Sequence, residues 1–245
     1  MGSPLLSLDR VRKTYWRGLH ENVVLAEVSL RVHIGELVAI WGQRGSGKTT
    51  LAKVAAGLER PDEGGVRFAG ADLATPRGAT APLLHDGIAW VQRAGPACDE
   101  FRSVLDYVVL PLLGKHSPRT ARRRASAMLK RVGVGDCAAE RWSSVTDGER
   151  TLAAIARAFA REPKLLIADD PTASLNVLQR EEVMGLLRMA ADEEGLGILI
   201  TVPDMPEFAH ANQIGSLSEG RLVLAQQPPE DGGNVLDFSR RERSA

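Results

Sequence analysis

Only two cysteines, Cys98 and Cys137, occur in 245 residues. Two isolated thiols exclude a disulfide framework and a cysteine-rich metal site, and they read as reduced packing or surface residues. Net charge is also missing: Lys and Arg total 31, and Asp and Glu total 31. A neutral chain gives no reason to expect nucleic acid or direct contact with a membrane surface. No apolar run approaches the roughly 18 residues a membrane-spanning helix needs. The start, Met1-Gly2-Ser3-Pro4, lacks the charged and apolar regions of a signal peptide. No internal repeat interrupts residues 5–225. What remains is ordinary globular composition, 44% hydrophobic and 25% charged, fitting one large α/β domain with a subdomain.

One stretch organises the rest. Gly42-Gln43-Arg44-Gly45-Ser46-Gly47-Lys48-Thr49 meets every fixed position of the phosphate-binding pattern G-x-x-x-x-G-K-[ST]. The apolar run Glu36 to Trp41 precedes it and reads as a strand. Thr50 to Leu58 follows with a helical pattern that reaches Gly57 near its end. In that context glycines turn backbone N–H groups inward, and the helix start adds partial positive charge. Lys48 is expected to reach the β- and γ-phosphates, and the Thr49 hydroxyl to bind Mg²⁺.

A second acidic site follows. Lys164 to Ala168 reads as a buried strand ending in Asp169-Asp170-Pro171. Asp169 would hold the Mg²⁺ shell beside the phosphate loop, and Asp170 would face the γ-phosphate, where a base orients water. Ile88 to Val91 is another buried strand, ending at Gln92, which would either ligate Mg²⁺ or hold the attacking water. Tyr15 closes the first strand, Leu5 to Tyr15, where its ring would stack on a nucleotide base.

Other segments are read by pattern. Val23 to Val32 is a strand, with a loop over Trp16 to Asn22 before it, and the two N-terminal strands suggest a small antiparallel sheet. Arg60 to Gly65 is a turn cluster, Val66 to Ala69 a short strand and Ala71 to Asp86 a loop. Helices are expected over Ser103 to Leu113, Arg119 to Val132, Glu149 to Ala160 and about Val177 to Glu194. Leu152, Ile155, Ala156 and Phe159 share a face of the third, and Thr146 with Glu149 makes a capping box before it. Arg119, Arg122, Arg123, Arg124, Lys130 and Arg131 read as a solvated helix face, with an acidic partner or lipid headgroups as the other reading. Strands at Gly197 to Val202, Gln213 to Leu217 and Arg221 to Ala225 complete the pattern. From Gln226 on, a polar and mostly disordered tail is expected.

With these landmarks in order, the chain resembles the ATP-binding subunit of an ATP-binding cassette (ABC) transporter over about Leu5 to Ala225. Tyr15 matches the adenine-stacking aromatic, Gly42 to Thr49 the Walker A loop and Gln92 the Q-loop glutamine. Val145 to Arg150 matches the signature, Leu165 to Asp169 the Walker B strand, Ala173 to Asn176 the D-loop, and Thr201 to Asp204 the switch segment. Ser103 to Leu112 resembles the lipoprotein-releasing and macrolide-exporting branch.

The resemblance implies an α/β fold: a RecA-like P-loop NTPase core, an antiparallel β subdomain and an α-helical subdomain at about residues 95–160. It implies ATP and Mg²⁺ as cofactors, bound at Tyr15, Gly42, Gln43, Arg44, Gly45, Ser46, Gly47, Lys48, Thr49 and Thr50. Thr146 and Gly148 would face the nucleotide of a second ABC ATP-binding chain, identical or different. A transmembrane permease subunit would supply the only membrane contact, on the inner face of the cell membrane, for export or lipoprotein release.

The departures carry their own expectation. Asp170 stands where the family has Glu, Pro203 where it has His, Asp147 where the signature has its first Gly, and Asn176 where the D-loop has Asp. Proline offers no donor at all. A carboxylate at 147 would oppose a partner's γ-phosphate. ATP·Mg²⁺ is expected to bind and hydrolysis to be slow, or to depend on the partner. The alternative is a hydrolysis-incompetent nucleotide switch in a heteromeric or regulatory complex. A kinase or GTPase fits less well, since no guanine-reading motif is evident and the signature-like segment argues against a kinase.

Overall fold

The computed structural model describes residues 2–73, 87–92, 101–173, 175–203 and 209–226. The expected tail beyond Gln226, Ser174, Cys98, Asp204 and most of the expected loop at Ala71 to Asp86 lie outside these residues.

Among the described residues, ten strands form two sheets. The first is antiparallel, in the order β2 (His20–Val32), β1 (Leu6–Arg17), β4 (Glu63–Phe68), β5 (Ala71–Asp72). The second runs β10 (Arg221–Gln226), β9 (Gln213–Ser218), β3 (Leu37–Trp41), β8 (Gly197–Val202), β7 (Leu165–Asp169), β6 (Ile88–Gln92). All its pairings are parallel except β9 with β10.

Residue parity explains how the second sheet is buried. Val38, Ile40, Leu165, Ile167, Leu199 and Ile88 pack with α1 (Lys48–Ala55) and the antiparallel sheet. Their strand neighbours Leu37, Ala39, Leu166, Ala168, Ile198 and Ala89 pack on the other face. That face is covered by α2 (Val104–Val109), α3 (Pro118–Arg131), α4 (Asp147–Phe159) and α5 (Val177–Glu194). Two covered faces are why these strands are unbroken apolar runs and do not alternate.

Several elements differ from the sequence pattern. The expected loop at Trp16 to Asn22 is paired strand: Tyr15 faces Asn22, Trp16 faces Glu21, and Arg17 faces His20. The connection is the two residues Gly18 and Leu19, and Gly18 supplies the positive φ (60°) of a tight hairpin. Pairing with β1 also draws Glu63 to Gly65 into β4, out of the expected turn. Ala71 and Asp72 pair with β4 inside the expected loop. Gln226 pairs with Gln213, so the last strand runs one residue into the expected tail. The helix read over Ser103 to Leu113 is α-helical only to Val109 and tightens to a 3₁₀ turn at Leu110–Leu112, where Pro111 lacks an N–H. In α4, Ala153, Ala154 and Ala158 are buried along with Ile155, Ala156 and Phe159, because the helix is wedged among β6, α2 and α3.

Caps fix the helix starts. Thr146 and Glu149 form the expected capping box on α4. Asn176 forms a second on α5: its side chain accepts from Gln179 N at 2.9 Å, and Gln179 Oε1 accepts from Asn176 N at 3.2 Å. An Asn cap is worth about 1 kcal/mol. Asn176→Ala is expected to lower the melting temperature by about 2–4 °C, read by circular dichroism, and Asn176→Asp to leave it near the parent value.

Candidate functional site

Between β3 and α1 the chain makes a tight curve that only glycine permits at two points. A Cβ at Gly42 would lie 2.4 Å from the Leu217 carbonyl oxygen, and one at Gly47 2.8 Å from that of Val24. Gly47 also holds φ 103° as the N-cap of α1, with no side chain to satisfy the helix start. Gly45, at φ 87°, faces open space. Ser46 N donates to Gln43 O (3.1 Å) to close the curve, and the first helical bond is Leu51 N to Gly47 O (2.8 Å). The N–H groups of Lys48, Thr49 and Thr50 are therefore left for an outside acceptor. The Lys48 ammonium folds back onto the Gly42 and Gln43 carbonyls. Gln43, Arg44 and Thr49 are exposed, and Ser46 Oγ is buried with no hydrogen-bond partner.

The carboxyl ends of the neighbouring strands supply the acids. Asp169 is in register with Gln92 on one side and Thr201 on the other. All three share strand parity with Ile167, Trp90 and Leu199, so they stand on the α1 side of the sheet. β8 alone separates β7 from β3, which puts Asp169 about 10 Å from the strand feeding the loop. Asp169 is buried, and Thr201 Oγ1 donates to its Oδ1 at 2.9 Å. The same hydroxyl accepts from Asp170 N at 2.9 Å. Asp170 then leaves the strand at φ 51°, a left-handed conformation that costs a non-glycine residue about 1 kcal/mol or more. Gln92 is exposed and accepts a long hydrogen bond from Trp90 Nε1 (3.5 Å).

Tyr15 comes to the same helix. Its hydroxyl donates to Glu59 Oε1 (2.5 Å) and lies 3.4 Å from Thr50 Oγ1 on the first turn of α1. Burial, then the Glu59 hydrogen bond, pushes the Tyr15 phenol above its ordinary value.

Thr146 and Gly148 belong to a different surface, the start of α4. Thr146 and Asp147 are exposed; Gly148 is buried, and a Cβ there would meet Gln179 Nε2 of α5 at 2.5 Å. Glu149 Oε2 accepts from Thr146 N (2.7 Å) and Oγ1 (2.8 Å), while its Oε1 accepts from the Cys137 thiol (3.1 Å). Asp147 pairs with Arg150 at 3.2 Å, and Arg150 also donates to the Trp142 and Ser143 carbonyls. Pro203 follows β8, and His210 is held by Glu181 at 2.8 Å. The structure thus gathers Tyr15, Gly42 to Thr50, Gln92 and Asp169 on the α1 side of the sheet, with Asp170 directly after Asp169 at the strand end, and leaves Thr146 exposed and Gly148 buried against α5 at the start of α4. Thr201, read from the sequence only as the start of the segment matched to the switch, is the hydroxyl bridge between the Asp169 carboxylate and the Asp170 backbone.

The loop fits a chain of phosphates: its two glycine contacts leave no room for a side chain, the first-turn N–H groups of α1 have no intrahelical acceptor, and one ammonium stands by. A divalent cation would find one carboxylate, Asp169, and a hydroxyl, Thr49. Among the described residues no three His, Cys, Asp or Glu side chains converge. Mg²⁺ takes few protein ligands and completes its shell with water and substrate phosphate oxygens, so one carboxylate and one hydroxyl would be enough to hold it.

Known proteins share this arrangement. The family model described as "ABC transporter" matches residues 25–173. The "Lipoprotein-releasing system ATP-binding protein LolD" of Pseudomonas syringae pv. tomato is 37% identical over 223 residues, 90% of this chain and 98% of that protein. The "Macrolide export ATP-binding/permease protein MacB" of Nitrobacter winogradskyi is 34% identical over 236 residues, 93% of this chain but 35% of that protein. Among solved structures, the dimeric ATP-binding cassette MJ0796, in a post-hydrolysis state bound to ADP and Pi, superposes with a TM-score of 0.81 at 27% identity. It covers 90% of this chain and 98% of that one.

The α4 cap titrates. The Thr146 backbone N–H, then the Cys137 thiol and the Thr146 hydroxyl, hold the Glu149 carboxyl below its ordinary value. Burial and Glu149 push the Cys137 thiol up to about 11, so it stays a donor at neutral pH. A lowered carboxyl contributes stability that is complete above glutamate's ordinary value of about 4.3 and is lost as pH falls through the folded value. Glu149→Gln keeps a cap acceptor but no charge. It is expected to lose less stability than the parent between about pH 5 and pH 3, followed by thermal melts across that range.

Proposed function

The chain belongs to the ABC transporter family, and on that footing we propose that it is the ATP-binding subunit of a transporter, acting on a transmembrane permease in export or lipoprotein release. The loop between β3 and α1 carries this reading: a curve closed to side chains at Gly42 and Gly47, open at Gly45 and guarded by Lys48. The names of the LolD and MacB relatives support the transport role. No helix among the described residues is long and apolar enough to cross a membrane, in keeping with attachment through a permease at the inner face of the cell membrane.

Residues 1–225 act as one ABC ATP-binding domain. Backbone N–H groups from Gly45 to Thr50 and the Lys48 ammonium bind the β- and γ-phosphates, and Tyr15 stacks on adenine. Thr49 and Asp169 would hold Mg²⁺, which would supply positive charge to the phosphate oxygens, and Gln92 would turn from Trp90 to ligate it or to orient water. Asp170 is the base that aligns the attacking water. Thr146 and Gly148 close on the nucleotide of a second ATP-binding chain. The dimeric MJ0796 cassettes support such a pairing.

Binding and cleavage rest on different residues here. The phosphate contacts involve none of the departures, whereas Asp170 has a shorter arm than Glu and Pro203 has no proton to donate. An error near 1 Å in placing a catalytic group costs roughly a hundredfold, and loss of general-base help about 10²–10⁴-fold. ATP·Mg²⁺ therefore binds well and is cleaved slowly by the chain alone. Beside an intact partner, Asp147 would weaken one composite site, and Asp170 with Pro203 the other.

Single-turnover hydrolysis of ATP by the purified chain, with Lys48→Ala as blank, tests this. Slow turnover above the blank is expected, rising about tenfold or more in the Asp170→Glu, Pro203→His double variant. Turnover at the family's usual speed in the parent, unchanged in the double variant, would overturn the impairment. No ATP binding in the parent would overturn the function.

A further inference from the structure

Tyr15 is anchored by a small charged cluster that none of the motifs includes. Glu59 lies just beyond α1, and its Oε1 accepts the Tyr15 phenol. The Lys13 ammonium sits 3.7 Å from the same carboxylate and 3.1 Å from Asp62 Oδ1. Asp62 Oδ2 in turn accepts from Thr14 N at 2.7 Å. Lys13 and Glu59 are mostly covered, with side chains 14% and 22% exposed. The Lys13 ammonium stands 5.6 Å from the Tyr15 ring centroid, yet the residue keeps 37% of its surface open. One end of the ring is thus pinned, a cation lies on it, and part of it stays available.

We propose that Glu59 is a positioning residue for nucleotide binding: it fixes the Tyr15 ring at the start of α1 so that the ring receives the base of a nucleotide whose phosphates lie in the adjacent loop. This rests on the stacking role proposed for Tyr15. The physical reason is entropy. A tyrosine whose ring turns freely must be ordered when a base arrives, and a hydrogen bond to a largely covered carboxylate orders it beforehand. Thr50 couples that order to the helix that presents the phosphate-binding N–H groups, since the Tyr15 hydroxyl lies 3.4 Å from Thr50 Oγ1. Lys13 pairs with the Glu59 carboxylate at 3.7 Å and holds it in place, and its charge attracts the electron-rich ring face.

The test compares two ligands on the full chain with Mg²⁺: ATP, which has a base, and inorganic triphosphate, which does not. Dissociation constants come from calorimetry for the parent and for Glu59→Ala, Glu59→Gln, Tyr15→Phe, Tyr15→Ala and the Glu59→Ala, Tyr15→Phe double variant. Glu59→Ala and Tyr15→Phe are each expected to weaken ATP about three- to tenfold, the scale of one hydrogen bond, and to leave triphosphate unchanged. Their double variant should be no weaker than either single one. Glu59→Gln, which keeps an acceptor, should recover most of the loss. Equal weakening of both ligands by Glu59→Ala would mean a general structural role and overturn the proposal. So would an unchanged ATP constant in Glu59→Ala when Tyr15→Ala does weaken ATP. If Tyr15→Ala itself leaves the two ligands in their parent ratio, the stacking role fails, and Glu59 with it.

Discussion

The register between β7 and β8 decides where the polar groups of the site stand. Asp169 faces Thr201 across that pair, and the Thr201 hydroxyl links the Asp169 carboxylate to the Asp170 backbone. Both faces of the sheet are covered, so neither residue has a wet side to retreat to. A slip of one residue would turn both polar side chains toward the apolar layer of α2 to α5. A carboxylate stranded there would cost several kcal/mol. The unbroken apolar runs of these strands therefore do two things at once: they make the core, and their register sets the acid on the side of the helix that follows the glycine loop.

The glycine loop depends on the same framework from its other side. Its close approaches are to Leu217 in β9 and Val24 in β2, one in each sheet. The curve is shaped by two sheets meeting around α1, and the motif residues supply only the permission to bend. Position and chemistry are thus separable. The residues proposed to hold phosphate sit where backbone geometry is tightest. Asp170 and Pro203, to which the proposed impairment is assigned, sit where strands have already ended.

Much of this was legible in the sequence, for physical reasons that differ by residue. Gly42 to Thr49 could be read because only glycine tolerates those contacts and angles. β7 and β8 could be read because burial on both faces leaves an unbroken apolar run. The caps at Thr146 and Asn176 are local, within three residues, and so leave a sequence pattern. The hairpin at Gly18 was hidden because Trp16 to Asn22 has no alternating pattern; its pairing is backbone to backbone and leaves side chains such as Trp16 and Leu19 exposed. Thr201 and Glu59 were hidden for another reason. Each acts on a residue more than 30 positions away, and no periodicity encodes such a contact.

A crystal structure of the chain with Mg²⁺ and a non-hydrolysable ATP analogue tests the central claim most directly. The account predicts the triphosphate inside the Gly42 to Thr49 curve, the Lys48 ammonium moved from the Gly42 carbonyl to phosphate oxygens, and Mg²⁺ between Thr49 and the Asp169 side of the sheet. A nucleotide bound elsewhere, or a loop still closed by Lys48 at saturating analogue, would contradict it.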